Sequence, residues 1–350
     1  MPNEDITMLV DDIEYTGWTE VSVRRQLDGL CGSFGFGMAD VWGINKQVIA
    51  LRPGLSVRIY IGEEQVMSGW IDSVAPSLAA EQHTIRVAGR DRTCDLVDCS
   101  AMNSPGIWRN RTLRQIVADL VEPFAIELLD EVNNTTKFSS FKLDVGESVF
   151  EAASRAAGKR ATLLITDVNG RMVITNTSNR LADDSLKEGV NVIAASAQFN
   201  DADRFSEYTI RGSQVTSGNG WSSSSITIEG TATDDAITRY RPLLQKADGG
   251  VTRKDAQSKA RWEAHVRSGK AQTVNATVRG FHQSSGALWP MNRITNVDIP
   301  SLLVGNSMLI NSVEFTKSAS GSMTNLELVL PNSYIAEPPK SVRPTRNVGW

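Results

Sequence analysis

Cysteine and histidine are both scarce, with three of each in 350 residues. Cys31, Cys94 and Cys99 are too few for a disulfide framework. They read as reduced, mostly buried thiols made in a cytoplasm. Cys94 and Cys99 depart from the usual zinc-ligand spacing, and none of His83, His265 and His282 follows closely, so no metal is expected. No run of about 18 apolar residues occurs, so no membrane insertion is expected. The acidic start, Met1-Pro2-Asn3-Glu4-Asp5, lacks the basic and then apolar arrangement of a secretory leader, and none is expected. Excess positive charge is missing too. The first 98 residues carry 15 Asp/Glu against 8 Lys/Arg, the rest 25 against 28, and the net charge is −4. Neither part has the basic footprint of a protein that grips nucleic acid.

Recognisable catalytic chemistry is absent as well. Gly32-Ser33-Phe34-Gly35-Phe36-Gly37 looks superficially like a phosphate loop. It lacks the spacing of either nucleotide fingerprint, and no Gly-Lys-Ser/Thr follows, so a β turn with Phe34 and Phe36 on one face is the better reading. There is no Gly-x-Ser-x-Gly elbow. The three histidines have no nucleophile beside them. The pairs Glu63-Glu64 and Asp183-Asp184 lie in turn-like contexts that suit solvated loops. No enzyme, catalytic residue or cofactor is expected.

What is there is ordinary globular composition, 41% hydrophobic and 22% charged, arranged mostly in the two-residue period of β-strands. Val57-Arg58-Ile59-Tyr60-Ile61 alternates, Met67 to Val74 and Thr84 to Ala88 follow, and Arg52-Pro53-Gly54 marks a turn. Such short, punctuated strands suggest a small barrel or sandwich over residues 1–98. From 99 to 188 the pattern is α+β. Thr112 can cap a helix that carries Leu113, Ile116, Val117, Leu120 and Val121 on one face, and Pro123 stops it. A second helix runs from Glu147 to Ala157, with Gly158 as its cap, and Asn169-Gly170 marks a hairpin. β pattern returns over 189–235 and 271–335, and 236–270 holds a charged helix, Lys254 to Arg267, expected at a surface or interface. The stretch 336–350 is a Pro-rich, basic tail: a disordered end, or an arm anchored on a neighbour by Trp350.

The chain also repeats itself. Trp70-Ile71-Asp72-Ser73-Val74 leads through a polar connection to an alternating return strand, His83 to Val87. Leu309-Ile310-Asn311-Ser312-Val313 leads in the same way to Asn325 to Val329. A duplicated β unit is expected. Three copies of a chain with two such units would present six similar modules about one axis, and a closed ring leaves no exposed sheet edges.

These same residues carry a resemblance. Leu30-Cys31-Gly32-Ser33-Phe34, Ser68-Gly69-Trp70-Ile71-Asp72 and the run from Gly89 to Asp98 resemble the baseplate hub family of phage Mu. So do Leu288-Trp289-Pro290-Met291-Asn292, Leu309 to Phe315 and Pro331-Asn332-Ser333-Tyr334. The late control protein D family of other contractile phages is a more distant likeness. The resemblance spans roughly residues 5 to 335. It implies a mixed, β-rich α+β fold with two related antiparallel β-barrel domains and inserted α+β segments. It implies a homotrimer whose pseudo-hexameric ring joins a central spike protein to the tail tube and other baseplate proteins. DNA would pass through its channel without specific binding, in a virion tail assembled in the host cytoplasm. Gly89, Arg90, Asp91, Asp95, Trp289, Asn292 and Trp350 are the candidate structural or interface residues. Arg90 and Asp91 are expected to pair in a buried corner or, more blandly, at the surface. Two other functions remain open on sequence: a tail-associated peptidoglycan hydrolase, and the hub-like base of a type VI secretion spike.

Overall fold

Alternating residues become strands in which one face is apolar and the other polar, because successive side chains point to opposite sides. The computed structural model describes residues 3–40, 51–79, 83–160, 162–216, 224–247 and 252–334. The first strands are β1 (Ile6–Val10), β2 (Ile13–Tyr15), β3 (Glu20–Gln26), β4 (Ser33–Asp40), β5 (Ser56–Ile61), β6 (Glu64–Leu78) and β7 (His83–Asp91). Val21 and Val23, Phe34 and Phe36, Val57 and Ile59, and Ile85 and Val87 all face one core. Trp18 and Phe34 meet the Phe36 ring edge-on there, which suits the aromatic quadrupole.

A short helix, α1 (Cys94–Asp98), leads into the α+β segment. Its elements are β8 (Ile107–Trp108), β9 (Arg111–Thr112), α2 (Leu113–Val121), β10 (Leu128–Asp130), β11 (Lys137–Phe138), β12 (Phe141–Lys142), α3 (Val149–Gly158), β13 (Leu163–Thr166) and β14 (Met172–Thr175). The five apolar residues predicted on one face of α2 are all buried, in a core shared with the alanines of α3. Thr112 and Gln115 form a reciprocal capping box at the α2 N-terminus. Thr112→Ala is expected to cost about 1 kcal/mol, read as a lower urea midpoint at unchanged slope.

The next strands are β15 (Leu186–Lys187) and β16 (Val192–Phe199). Contacts then divide the chain in two. One compact unit holds the residues described so far up to Ala197, apart from Gly158–Ala161, together with Val274–Val329. The other is built on Gln198–Thr273 and the residues from Leu330. Within this second unit, β17 (Glu207–Thr216) pairs with β18 (Ser224–Thr233) and β19 (Pro242–Lys246), and α4 (Arg253–Lys270) covers the sheet. The apolar pattern of α4 is weak because its buried residues are alanines, Ala256, Ala260 and Ala264, one turn apart. Small residues let the backbones approach closely: a Cβ on Gly230 would stand 2.1 Å from the Gln257 nitrogen.

The chain returns through β20 (Gln272–Arg279), β21 (Ile294–Ile299), β22 (Val304–Ser318) and β23 (Gly321–Val329). Among the described residues, the principal sheet has 13 strands in the order β16-β20-β23-β22-β3-β4-β7-β6-β5-β1-β2, with β21 on β22 and β15 on β21. This corrects the expectation of two β-barrels, because neither half closes on itself among the described residues. β3 pairs across to β22, from Ser312↔Gln26 to Lys317↔Val21, so the edge that would close one half joins it to the other. A single core runs beneath both. The mixed α+β, β-rich character is retained.

Candidate functional site

The repeated Ile-Asp/Asn-Ser-Val segment is a β-bulge in both hairpins. The β6–β7 register shifts between Ile71 and Ser73, leaving Asp72 extra. The β22–β23 register shifts between Ile310 and Ser312, leaving Asn311 extra. A bulged residue leaves the ladder and re-aims its side chain. Asp72 accepts from Arg90 Nε at 2.7 Å, and Asn311 Nδ2 donates to Glu327 at 2.9 Å.

Arg90 and Asp91 do not pair, since neighbours on a strand face opposite ways. Arg90 turns outward and, beyond Asp72, forks onto both oxygens of Asp98 at 3.1 and 2.8 Å. These bonds hold the Asp98 carboxyl below the ordinary carboxylate range. Asp91 turns inward and is buried. It accepts from Gly32 N at 2.5 Å, Thr93 N at 2.9 Å and Thr93 Oγ1 at 2.6 Å. Burial raises its pKa, while the Thr93 and Gly32 bonds and the nearby Arg25 pull the other way. Thr93 Oγ1 meets Thr166 Oγ1 at 2.7 Å, and Thr166 donates to the Leu30 carbonyl at 3.1 Å. Arg25 donates to the Thr166 carbonyl at 3.1 Å. This buried polar knot ties the first strands to the β13 hairpin. Gly89 sits beside it because the bulge presses β6 onto β7: a Cβ there would lie 2.0 Å from the Trp70 carbonyl oxygen.

The sheet face opposite the core carries a second, more open network across β3, β22, β23 and β20. Arg24 pairs with Glu327 at 3.1 Å, and Ser22 donates to Glu314 at 2.7 Å. Asn325 bridges Glu314 and Thr277 at 3.2 and 2.8 Å. Arg24, Thr277, Glu314, Asn325 and Glu327 line a depression of about 300 Å³. Among the described residues, no group of three or more His, Cys, Asp or Glu is placed to hold a metal ion. Burial pushes the Cys94 thiol up to about 12, away from reactivity.

The remaining candidates scatter. Asp95 is exposed in the first turn of α1. Trp289 is buried in the main core. Asn292 is buried with φ +57, a conformation asparagine tolerates, and its amide accepts from Ser178 N and donates to the Asn176 carbonyl. Trp350 lies outside the described residues. Sequence reasoning missed Arg24, Arg25, Thr93, Glu314 and Glu327. For Arg24, Glu314 and Glu327 the signal was present, as polar residues alternating with Val21, Val23, Val313, Leu326 and Leu328; Arg25 and Thr93 fall outside that pattern.

A long sheet with one apolar and one polar face, braced by buried polar corners, suits a structural assembly protein. Comparison with known proteins gives the family. Residues 5–91 match the model "Mu phage baseplate assembly protein GpP-like, N-terminal", residues 93–176 match "Baseplate hub protein gp44-like, second domain", and residues 252–337 match "Mu phage baseplate assembly protein GpP, fourth domain". The chain is 33% identical over 352 residues to baseplate hub protein gp44 of Escherichia phage Mu, covering 98% of this chain and 92% of that one. Among solved structures it is similar to the 43 kDa tail protein of prophage MuSo2 from Shewanella oneidensis, with TM-score 0.85, 31% identity and coverage of 96% and 100%. The tail protein from Neisseria meningitidis MC58 has the same fold, with TM-score 0.77, 19% identity and coverage of 95% and 99%. The chain belongs to the phage Mu-like baseplate hub family.

Proposed function

We propose that three copies of this chain form the ring-shaped hub of a contractile tail baseplate, joining a central spike to the tail tube and leaving a passage for DNA. The observation that carries this is the duplication: two half-sheets with matching bulges lie side by side in one chain. Three chains then supply six like modules, which suits a three-fold spike on one side and a six-fold tube on the other. The polar face bearing Ser22, Arg24, Glu314 and Glu327 suits the wall of a wet passage. Its mixed charge would let DNA slide rather than bind. Residues 99–188 and 236–270 are taken as insertions around the ring. The Arg90 corner, Asp95, Trp289, Asn292 and Trp350 are taken as parts that hold its shape or contacts.

Mass in solution, measured alone and with the spike protein, tests this. A species of three times the 38.2 kDa chain is expected. A strict monomer in both states, with no spike bound, would rule the hub out.

A further inference from the structure

The junction between the two half-sheets within this chain suggests how separate chains meet. β22 is fifteen residues long, and its two halves use different neighbours on the side away from β23. Val304–Leu309 pairs with β21, and Ser312–Lys317 pairs with β3. β6 is also fifteen residues long and carries its bulge at the matching place. Its first half, Glu64–Trp70, pairs with β5 as β22 pairs with β21. Ser73–Leu78, the counterpart of the half that takes β3, has no strand on that side among the described residues.

Burial records the missing strand. Ser312, Val313 and Phe315 are buried beside β3. Their counterparts Ser73 and Pro76 are exposed, Val74 is only half-buried, and Leu78 is 67% exposed. Pro76 itself withholds one donor, and proline in a sheet belongs at an edge.

The matching strand is at the opposite end of the sheet. β16 pairs with β20 as β3 pairs with β4, and it ends the strand order with no strand on its other side among the described residues. Val21 and Val23 of β3 are buried. On β16, Ala195 and Ala197 alternate in the same way against the core but remain half-buried, and Ile193 and Phe199 are exposed. Two such unpaired edges with incompletely covered apolar residues, one on β16 and one on the second half of β6, invite pairing with another chain.

We infer that Ser73–Leu78 of β6 pairs antiparallel with β16 of a neighbouring copy, repeating between chains the β22–β3 junction made within each. The contact is head-to-tail, so it propagates around an axis and closes when the rotation allows. This rests on the ring proposed above and names the strands that close it. The internal register Thr316↔Ser22 carries over to Ser77 opposite Ser196, since Ser22 lies between Val21 and Val23 as Ser196 lies between Ala195 and Ala197.

The test is Ser77→Cys with Ser196→Cys in one full-length chain, on a Cys99→Ser background because Cys99 is exposed. Mild oxidation is followed by non-reducing electrophoresis, with mass in solution measured before oxidation. A covalent trimer at least tenfold enriched over either single-cysteine chain is the expected result. A trimer by mass without that covalent trimer overturns the strand pairing and leaves the ring standing. A chain that stays monomeric by mass, with and without spike, overturns the ring itself. Circular dichroism matching the parent shows that each variant is folded.

Discussion

Gly89→Ala is expected to destabilise the fold by at least about 3 kcal/mol, at the top of the usual range for overpacking. The new Cβ would lie 2.0 Å from the Trp70 carbonyl oxygen and 2.4 Å from Phe34 Cζ. The Phe34 ring can turn away, but the carbonyl belongs to the β6 backbone and moves only if β6 and β7 separate at the bulge. Gly69, across the same bulge, is equally tight: a Cβ there would stand 2.0 Å from the Arg90 oxygen. Gly35 on β4 is the control. It lies in the same sheet with nothing within 4 Å of its Cβ position. Gly35→Ala should stay within about 0.5 kcal/mol of the parent. Urea unfolding of both variants checks the contrast. Equal stability of the two alanine chains would mean that the bulge yields easily.

Asp91→Ala should cost about 3 kcal/mol, because it leaves the buried amides of Gly32 and Thr93 without an acceptor. Asp91→Asn keeps the shape and one acceptor oxygen and should cost less. It should also change the pH dependence in a definite direction. The folded pKa of Asp91 is raised by burial, so above the unfolded value of about 3.9 the folded state holds this proton more tightly than the unfolded state. Stability therefore falls as pH rises from the unfolded to the folded pKa of this group. Asp98 has the opposite sign. Arg90 lowers its pKa, so its small, solvent-screened contribution is present above the unfolded value and is lost as pH falls through the folded one. Unfolding free energies from pH 3 to 7 should show the Asp91→Asn chain losing the downward slope and the Asp98→Asn chain losing the upward one. A stability profile unchanged by Asp91→Asn would show that this carboxyl is not desolvated.

Local structure was largely legible in the sequence. The α2 face from Leu113 to Val121 and its Thr112 cap follow from helical spacing and capping chemistry. The Ile-Asp/Asn-Ser-Val repeat marked both bulged strands, and the resemblance carried by Ser68 to Asp72 and Gly89 to Asp98 led to the family. Charge partners were much less legible. Arg90 and Asp91 are adjacent in sequence, which suggested a pair, yet the strand sends one outward to Asp72 and Asp98 and the other inward to Gly32 and Thr93.

By itself, the sequence determined which residues face a core, where the helices begin, that a β unit occurs twice, and which family the chain resembles. Each of these depends on side-chain periodicity or short-range chemistry. Only the tertiary structure decided that, among the described residues, the two repeated β segments merge into one 13-stranded sheet instead of closing as barrels. Alternation says that a strand has an apolar face and says nothing of which strand lies beside it. The β3–β22 pairing joins residues almost three hundred positions apart, and its backbone hydrogen bonds leave no mark on side-chain pattern.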